Sequence, residues 1–174
     1  MTQGTRPRYQ IVRGLRMPMG FPASGLETAG QFIPTEGDVF VASYPKCGTT
    51  WLQYIVYLLV RQRGLGADES LTAAFPHLEE VGAAAAADQP RPRLIKTHLT
   101  FDATPLSPEA RYLFIARNPF DCAVSFFHHT RGFPRHYDFA DGSFDDFFAC
   151  FVRGEVDFAK RPAQPFCAAP TVGI

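Results

Sequence analysis

Residues 39 to 59 constrain the fold most, because they contain a strand, a tight loop and a helix in immediate succession. Val39 to Ala42 is a short apolar run typical of a buried strand, and it breaks before Pro45. Apolar residues at helical spacing begin at Trp51. A buried strand joined to a helix by a few residues is the repeating unit of parallel sheets, so the chain is predicted to be an α/β protein.

The loop between this strand and helix has the composition of an anion-binding loop. Backbone N–H groups at a helix start point at a bound anion, and the helix dipole favours negative charge there. Lys46 adds a full positive charge, while Thr49 and Thr50 add hydroxyl donors. The pattern G-x-x-x-x-G-K-[ST] of nucleotide-binding loops is not followed, because Lys46 precedes Gly48. A plain strand-to-helix turn with a solvated lysine is the alternative interpretation.

A second strand and helix follow in the same order further along the chain. Residues 112–116 form another buried-strand candidate, and Arg117 stands at its C-terminal end. Asn118 can cap the next helix, whose first position is a proline. Arg117 and Ser125 are eight residues apart, about two helical turns plus the entry residue, so one anion could contact both. A structural ion pair and a plain helix surface are the alternatives.

A histidine follows a third strand candidate at residues 93–96. Open α/β sheets bind their ligands beyond the C-terminal ends of the strands, which is where His98 falls. An imidazole is well suited to take up a proton near neutral pH. Taken alone, His98 is more often a hydrogen-bonded structural histidine than a base.

Together these segments resemble the cytosolic sulfotransferases. Tyr-Pro-Lys-Cys-Gly-Thr-Thr-Trp at 44–51 departs from that family's 5′-phosphosulfate loop only at Cys47, where the family has serine. Residues 117–125 contain every lettered position of the family's 3′-phosphate element, Arg-Asn-x-x-Asp-x-x-Val-Ser. Lys-Thr-His-Leu at 96–99 is similar to the segment that carries the family's base, with Thr100 where proline is common.

The resemblance implies transfer of a sulfuryl group from 3′-phosphoadenosine 5′-phosphosulfate to a small-molecule acceptor, namely a phenol, alcohol, steroid or amine. His98 is then the implied base, Lys46 the cation that stabilises charge on the leaving group, and Lys96 a catalytic lysine near the sulfuryl group. No metal is implied. The implied co-substrate-binding residues are Lys46, Cys47, Gly48, Thr49, Thr50, Trp51, Arg117 and Ser125.

The order of elements predicts a P-loop-like parallel sheet flanked by helices and incomplete at the C-terminus. The cap at Ser143, with two aspartates in the following turn, predicts one more helix. We expect strands at 39–43, 93–96 and 112–116, helices at 49–63, 119–130 and 143–153, one or two short helices within 71–82, a helix tail at 83–87, a helical turn at 107–110, and loop with short strand over 1–37.

The resemblance covers residues 1–158, the N-terminal part of a sulfotransferase domain, and leaves residues 159–174 as an unmatched, disordered tail. The family's later Arg-Lys-Gly segment, which also contacts the 3′-phosphate, is missing. We therefore expect a truncated chain with little or no activity as it stands. One alternative is a non-catalytic truncated nucleotide-binding fragment. A P-loop kinase or NTPase is a weaker alternative, because no Walker B carboxylate follows a strand.

Charge and composition limit the kinds of partner that the chain is expected to bind. The chain has 17 basic and 17 acidic residues, so no bulk field draws it to nucleic acid or to a membrane surface. It contains no apolar run of about 18 residues that could span a bilayer, and no apolar signal region at its start. Its four cysteines lack metal-ligand spacing and suit reduced thiols, so we predict a cytoplasmic protein.

Overall fold

The structure, a computed structural model, describes residues 6–159 of the chain, and these divide into two compact units. We call residues 22–116 the sheet unit, and residues 6–21 with 117–159 the helical unit. The predicted tail at 159–174 lies outside the described residues, apart from Ala159. Within the described range, every helix is too short or too polar to cross a membrane.

The elements alternate as the sequence predicts from residue 39 onward. The three predicted strands and the helices predicted at 49–63, 119–130 and 143–153 are present, with their ends displaced by at most two residues. The stretch 71–87, predicted to hold one or two short helices and a helix tail, contains two helices. In chain order the elements are β1 (Gln10–Val12), β2 (Leu15–Met17), α1 (Ala23–Ala29), β3 (Val39–Ser43), α2 (Thr49–Arg61), α3 (Leu71–Ala74), α4 (Leu78–Ala87), β4 (Leu94–Thr97), a 3₁₀ helix (Phe101–Ala103), β5 (Arg111–Ile115), α5 (Pro119–Gly132), α6 (Pro134–Tyr137) and α7 (Phe144–Val152).

Two differences from the predicted elements stand out. The helix α1 lies in a stretch predicted as loop with short strand, and the short-strand part of that prediction corresponds to the hairpin β1–β2. The helical turn predicted at 107–110 is a simple turn, closed by the Ala110 N–H donating to the Ser107 carbonyl. Neither difference alters the prediction of an α/β fold.

The sheet of the sheet unit has the order β4-β3-β5, and all three strands are parallel. Val39 aligns with Leu94 on one side and with Arg111 on the other. Because the strands are parallel, their C-terminal ends lie along one edge of the sheet. The parallel sheet predicted from the sequence is confirmed, and this edge is where the candidate site lies.

Helices cover both faces of this sheet, which explains why β3 is apolar at nearly every position. Phe40 is completely buried on one face, in a cluster with residues of α1, α4 and β4. Val39 and Val41 point to the other face, against α2 and α3. Removing a buried phenylalanine such as Phe40 costs about 3–5 kcal/mol, so β3 is a major source of the unit's stability.

Helix α1 packs closely against α4 through a glycine. A methyl group at Gly25 would overlap the carbonyl oxygens of Glu79 and Glu80, so no larger residue fits without moving a helix. Within α4, Gly82 has φ 79° and ψ 172°, which kinks the helix. The Thr28 hydroxyl accepts the Ala83 N–H at this kink. The first turn of α4 is therefore held firmly against α1.

A buried ion pair fastens the other edge of the sheet. Arg93, before β4, donates from Nε to Asp38 Oδ1, just before β3, over 2.8 Å. Burial opposes ionisation of Asp38, but hydrogen bonds from Arg93 and Thr35 outweigh it and hold the pKa of Asp38 below its usual value. The guanidinium also lies over the Phe32 ring. The pair fixes the starts of both strands.

The helical unit has an aromatic core. Phe126, Phe139 and Phe147 are fully buried and belong to α5, the segment after α6, and α7. The predicted cap is confirmed, because the Ser143 hydroxyl accepts the Asp146 N–H.

A buried carboxyl lies at the end of this unit's described chain. Asp157 is 2% exposed, and its Oδ2 accepts the Tyr137 hydroxyl over 2.6 Å. Within the described residues its Oδ1 has no hydrogen-bond partner. Burial raises the pKa of Asp157 to about 7, and the tyrosine hydrogen bond offsets this only in part.

Candidate active site

The loop after β3 leads directly into α2, and the N-terminus of this helix has no side-chain cap. Lys46 and Gly48 both have left-handed backbone conformations, with φ 67° and φ 104°. Gly48 occupies the N-cap position and supplies no side-chain cap, so the first backbone N–H groups of the 13-residue helix remain available to an anion. The strand, tight turn and helix N-terminus that the predicted phosphate loop requires are therefore present, and phosphate binding by this loop stays a prediction.

The side chains of this loop differ in exposure. Cys47 and Thr49 are buried. Thr50 and Trp51 are exposed, with Trp51 at 67% of its maximum. An exposed indole on the first turn of the helix offers an apolar surface on which a planar ring could stack.

Ser43, the last residue of β3, connects the phosphate loop to His98. Its hydroxyl hydrogen-bonds the Thr49 hydroxyl over 2.5 Å. Its backbone carbonyl lies 2.7 Å from His98 Nδ1. A carbonyl only accepts, so His98 Nδ1 donates, and in the neutral ring the lone pair is then at Nε2. This is the tautomer that a base using Nε2 requires.

Lys96 lies on β4 two residues before His98 and is half-buried. Burial lowers the pKa of Lys96, the carboxylates of Glu79 and Glu80 raise it, and the positive charge of Lys46 lowers it again. Lys46 and Lys96 therefore interact electrostatically. Two neighbouring cations at the carboxyl edge of the sheet favour an anionic ligand there.

Glu79 is the residue of this region that the sequence did not indicate. It is completely buried, and its Oε1 accepts the backbone N–H of His98 over 2.5 Å. His77 Nε2 lies 3.6 Å from the same oxygen, and the His77 ring meets the His98 ring edge-on with centroids 4.8 Å apart. A glutamate in the first turn of a helix predicts a solvated face, so the sequence carries no signal for this contact.

Arg117 and Ser125, predicted to hold the second phosphate, belong to the helical unit. Arg117 is exposed and directly precedes α5, whose N-cap Asn118 accepts the Phe120 N–H with its side chain as predicted. Ser125 is half-buried in the second turn of that helix. The structure thus brings Lys46, Thr49, Lys96 and His98 to one edge of the sheet unit, and places Arg117 and Ser125 at the start of α5. Among residues 6–159 no group of side chains is suited to hold a metal ion.

Known proteins with similar sequences and folds agree on one family. The model of the sulfotransferase domain matches residues 36–160. Sulfotransferase 6B1 of Mus musculus is 39% identical over 136 residues, covering 74% of this chain and 43% of the relative. Sulfotransferase 1A1 of Bos taurus is 32% identical over 167 residues, covering 90% and 56%.

Among solved structures, mouse sulfotransferase SULT7A1 complexed with PAP superposes with a TM-score of 0.69 at 25% identity. The match covers 88% of this chain and 54% of that one. The chain thus spans about half the length of the curated relatives it matches.

Proposed function

The chain belongs to the sulfotransferase family, and we propose that it acts in the transfer of a sulfuryl group from 3′-phosphoadenosine 5′-phosphosulfate to a hydroxyl or amine of a small molecule. The observation that carries this proposal is the contact through Ser43, which joins the phosphate loop at Thr49 to the candidate base His98. The candidate donor-binding loop and the candidate base thereby both contact the last residue of β3.

The residues of the phosphate loop fit the 5′ end of this co-substrate. The uncapped start of α2 offers backbone N–H donors, and Gly48 keeps the approach to them open. Lys46 supplies the positive charge. When bound, the co-substrate provides the sulfuryl group and leaves as 3′,5′-adenosine bisphosphate. We assign Lys46 and Lys96 to stabilise the negative charge that develops during transfer.

His98 is proposed to take the proton of the acceptor. Its Nδ1 donates to Ser43, which orients the ring and leaves the lone pair on Nε2. The acceptor oxygen or nitrogen would then lie within hydrogen-bond reach of Nε2 as it becomes nucleophilic. Acceptors with an ionisable hydroxyl or amine suit this arrangement, so phenols, alcohols, steroids and amines are the proposed classes.

Arg117 and Ser125 are proposed to bind the 3′-phosphate. Their support is the match to the family's motif and the confirmed helix start between them, where a cap and a proline order the backbone. The remaining proposed contacts of the co-substrate are with Cys47, Thr50 and Trp51 in the first loop.

Titration of the purified chain with 3′,5′-adenosine bisphosphate, followed by calorimetry, tests the donor site. Lys46→Ala should weaken binding by about tenfold to a hundredfold, because a charge-assisted contact contributes roughly 1.5–3 kcal/mol. Arg135→Ala, which removes an exposed cation outside the sheet unit, is the matched control and should bind like wild type. Equal affinity in Lys46→Ala would exclude the assigned role.

Transfer of ³⁵S from labelled donor to a panel of phenols, alcohols, steroids and amines tests the chemistry on the same preparation. His98→Ala should abolish transfer and leave bisphosphate affinity nearly unchanged, since the base contacts the acceptor. Bisphosphate binding without any transfer would favour the non-catalytic fragment. Magnesium-dependent ATP hydrolysis would favour the kinase or NTPase alternative.

A further inference from the structure

We propose that Glu79 is a positioning residue of the candidate site: its carboxylate holds the backbone of His98 and places a negative charge beside the strand that carries Lys96. The role assigned to these two partners rests on the proposed function, but the contacts themselves do not. Glu79 would act through His98 and Lys96 without touching the co-substrate or the acceptor.

The register of the chain explains why Glu79 faces His98. The segment before α4 runs parallel to β4, with His77 paired to Lys96 and the Lys96 N–H donating to the Pro76 carbonyl. Two residues further on in both segments, Glu79 is opposite His98. Its Oε1 accepts the His98 N–H there, which fixes the chain at the point where it leaves the strand. The ring is fixed separately by Ser43.

Glu79 stays ionised although it is buried, because neighbouring groups stabilise its negative charge. Its side chain is completely buried, and an isolated buried carboxylate would favour its neutral form. Burial does oppose ionisation, but the neighbouring His77 ring, with Nε2 3.6 Å from Oε1, and the hydrogen bond from the His98 N–H outweigh it, so the pKa of Glu79 is lowered. The ionised carboxylate in turn raises the pKa of Lys96 against the effect of burial and of Lys46.

Helix α1 keeps this carboxylate in place. The carbonyl oxygens of Glu79 and Glu80 pack directly on Gly25, at a contact that no side chain could enter. The first turn of α4 therefore has little freedom to move away from β4. A rigid support of this kind is what a positioning residue requires, because small displacements of reacting groups are costly in rate.

The charge of Lys96 provides a test that does not depend on transfer activity. The chain has three lysines, Lys46, Lys96 and Lys160, so their ¹³Cε NMR signals can be assigned with two Lys→Arg variants. In Glu79→Gln, which keeps the size and an acceptor oxygen, the Lys96 titration should move to lower pH than in wild type. Glu80→Gln is the matched control, and its effect should be smaller because that side chain is 45% exposed.

Amide exchange tests the contact with the backbone. The His98 amide should exchange with deuterium faster in Glu79→Ala than in wild type or Glu79→Gln, while the Val41 amide in the middle of β3 stays protected in all three. If Glu79→Ala does not fold, the comparison between Glu79→Gln and Glu80→Gln decides the proposal. An unmoved Lys96 titration in Glu79→Gln, or an equal shift in both variants, would overturn it.

Turnover then separates this proposal from the proposed function. In active protein, Glu79→Gln should lower kcat by about tenfold to a hundredfold with little change in bisphosphate affinity, and the alkaline limb of the pH profile should move to lower pH. If wild type transfers no sulfuryl group, the proposed function fails, and the lysine titration and amide exchange still decide whether Glu79 positions its neighbours.

Discussion

Replacing Asp157 by asparagine should stabilise the protein at neutral pH. The carboxyl is buried in the helical unit with one hydrogen bond, from Tyr137 to Oδ2. Burial raises its pKa from 3.8 to about 7, so the folded protein must keep a proton that the unfolded chain releases. At 1.36 kcal/mol per pKa unit, this difference lowers the free energy of unfolding by about 4 kcal/mol at pH 8 relative to pH 3.

The pH window follows from the direction of the shift. Below pH 3.8 both folded and unfolded chains hold the proton, so the raised pKa of Asp157 does not lower the free energy of unfolding there. Between pH 3.8 and about 7 the folded chain binds more protons than the unfolded chain, so the free energy of unfolding falls as pH rises. Asparagine does not titrate and can still accept the Tyr137 hydroxyl. The advantage of Asp157→Asn should therefore grow across this window and level off above it.

Urea unfolding of wild type and Asp157→Asn at half-unit intervals from pH 4 to pH 8 measures this difference. Asp141→Asn, at an exposed position of the same unit, is the matched control for loss of one carboxylate. Tyr137→Phe keeps Asp157 and removes the hydrogen bond that lowers its pKa. The free energy of unfolding of this variant should therefore depend on pH more strongly than that of wild type. A stability difference between Asp157→Asn and wild type that does not change with pH would refute the reasoning, since it would mean that Asp157 is ionised when buried.

Three further predictions concern the sheet unit and the second phosphate site. Asp38→Asn should destabilise the protein by about 3 kcal/mol in urea unfolding, because it removes the charge partner of a buried guanidinium. Because the pKa of Asp38 is lowered, its contribution is present above pH 3.8 and is lost as pH falls through the folded value, so the variant and wild type should converge in acid. Gly25→Ala should cost about 1–3 kcal/mol through overlap with the backbone of α4, whereas Gly30→Ala, with open space around it, should stay within about 0.5 kcal/mol of wild type; similar thermal melts would contradict this. Arg117→Ala and Ser125→Ala should each weaken 3′,5′-adenosine bisphosphate binding by about tenfold and barely affect 5′-AMP, and equal losses for both ligands would assign these residues to the fold.

The elements from residue 39 onward could be predicted because their signals are local. An apolar run, a loop with proline and glycine, and apolar residues at helical spacing identify β3 and α2 without knowledge of the rest of the chain. The caps at Asn118 and Ser143 are equally local, since each side chain bonds a backbone N–H two or three residues away. The parallel sheet then follows from the alternation of strands and helices.

Helix α1 could not be predicted in this way, because contacts distant in sequence stabilise it. It has seven residues, begins without a side-chain cap, and contains Gly25, a residue unfavourable in an isolated helix. That glycine is what permits the close approach to α4, more than fifty residues later in the chain. The division into two units was also not predicted from the sequence, since it depends on how the N-terminal hairpin joins residues after 116.

The contacts around His98 likewise depend on residues that are distant in sequence, so the sequence alone did not predict them. That His98 is a candidate base was inferred from the resemblance of residues 96–99 to the family's segment, because its place after a strand alone favoured a structural histidine. That Ser43 orients its ring and Glu79 holds its backbone depends on register across 55 and 19 residues. Since β3 is central and pairs with both neighbours, a slip of one residue would turn Ser43 to the other face of the sheet and separate the loop from His98. The buried pair of Asp38 and Arg93 resists that slip from the opposite edge, so a contact far from the chemistry maintains the alignment on which the proposed site depends.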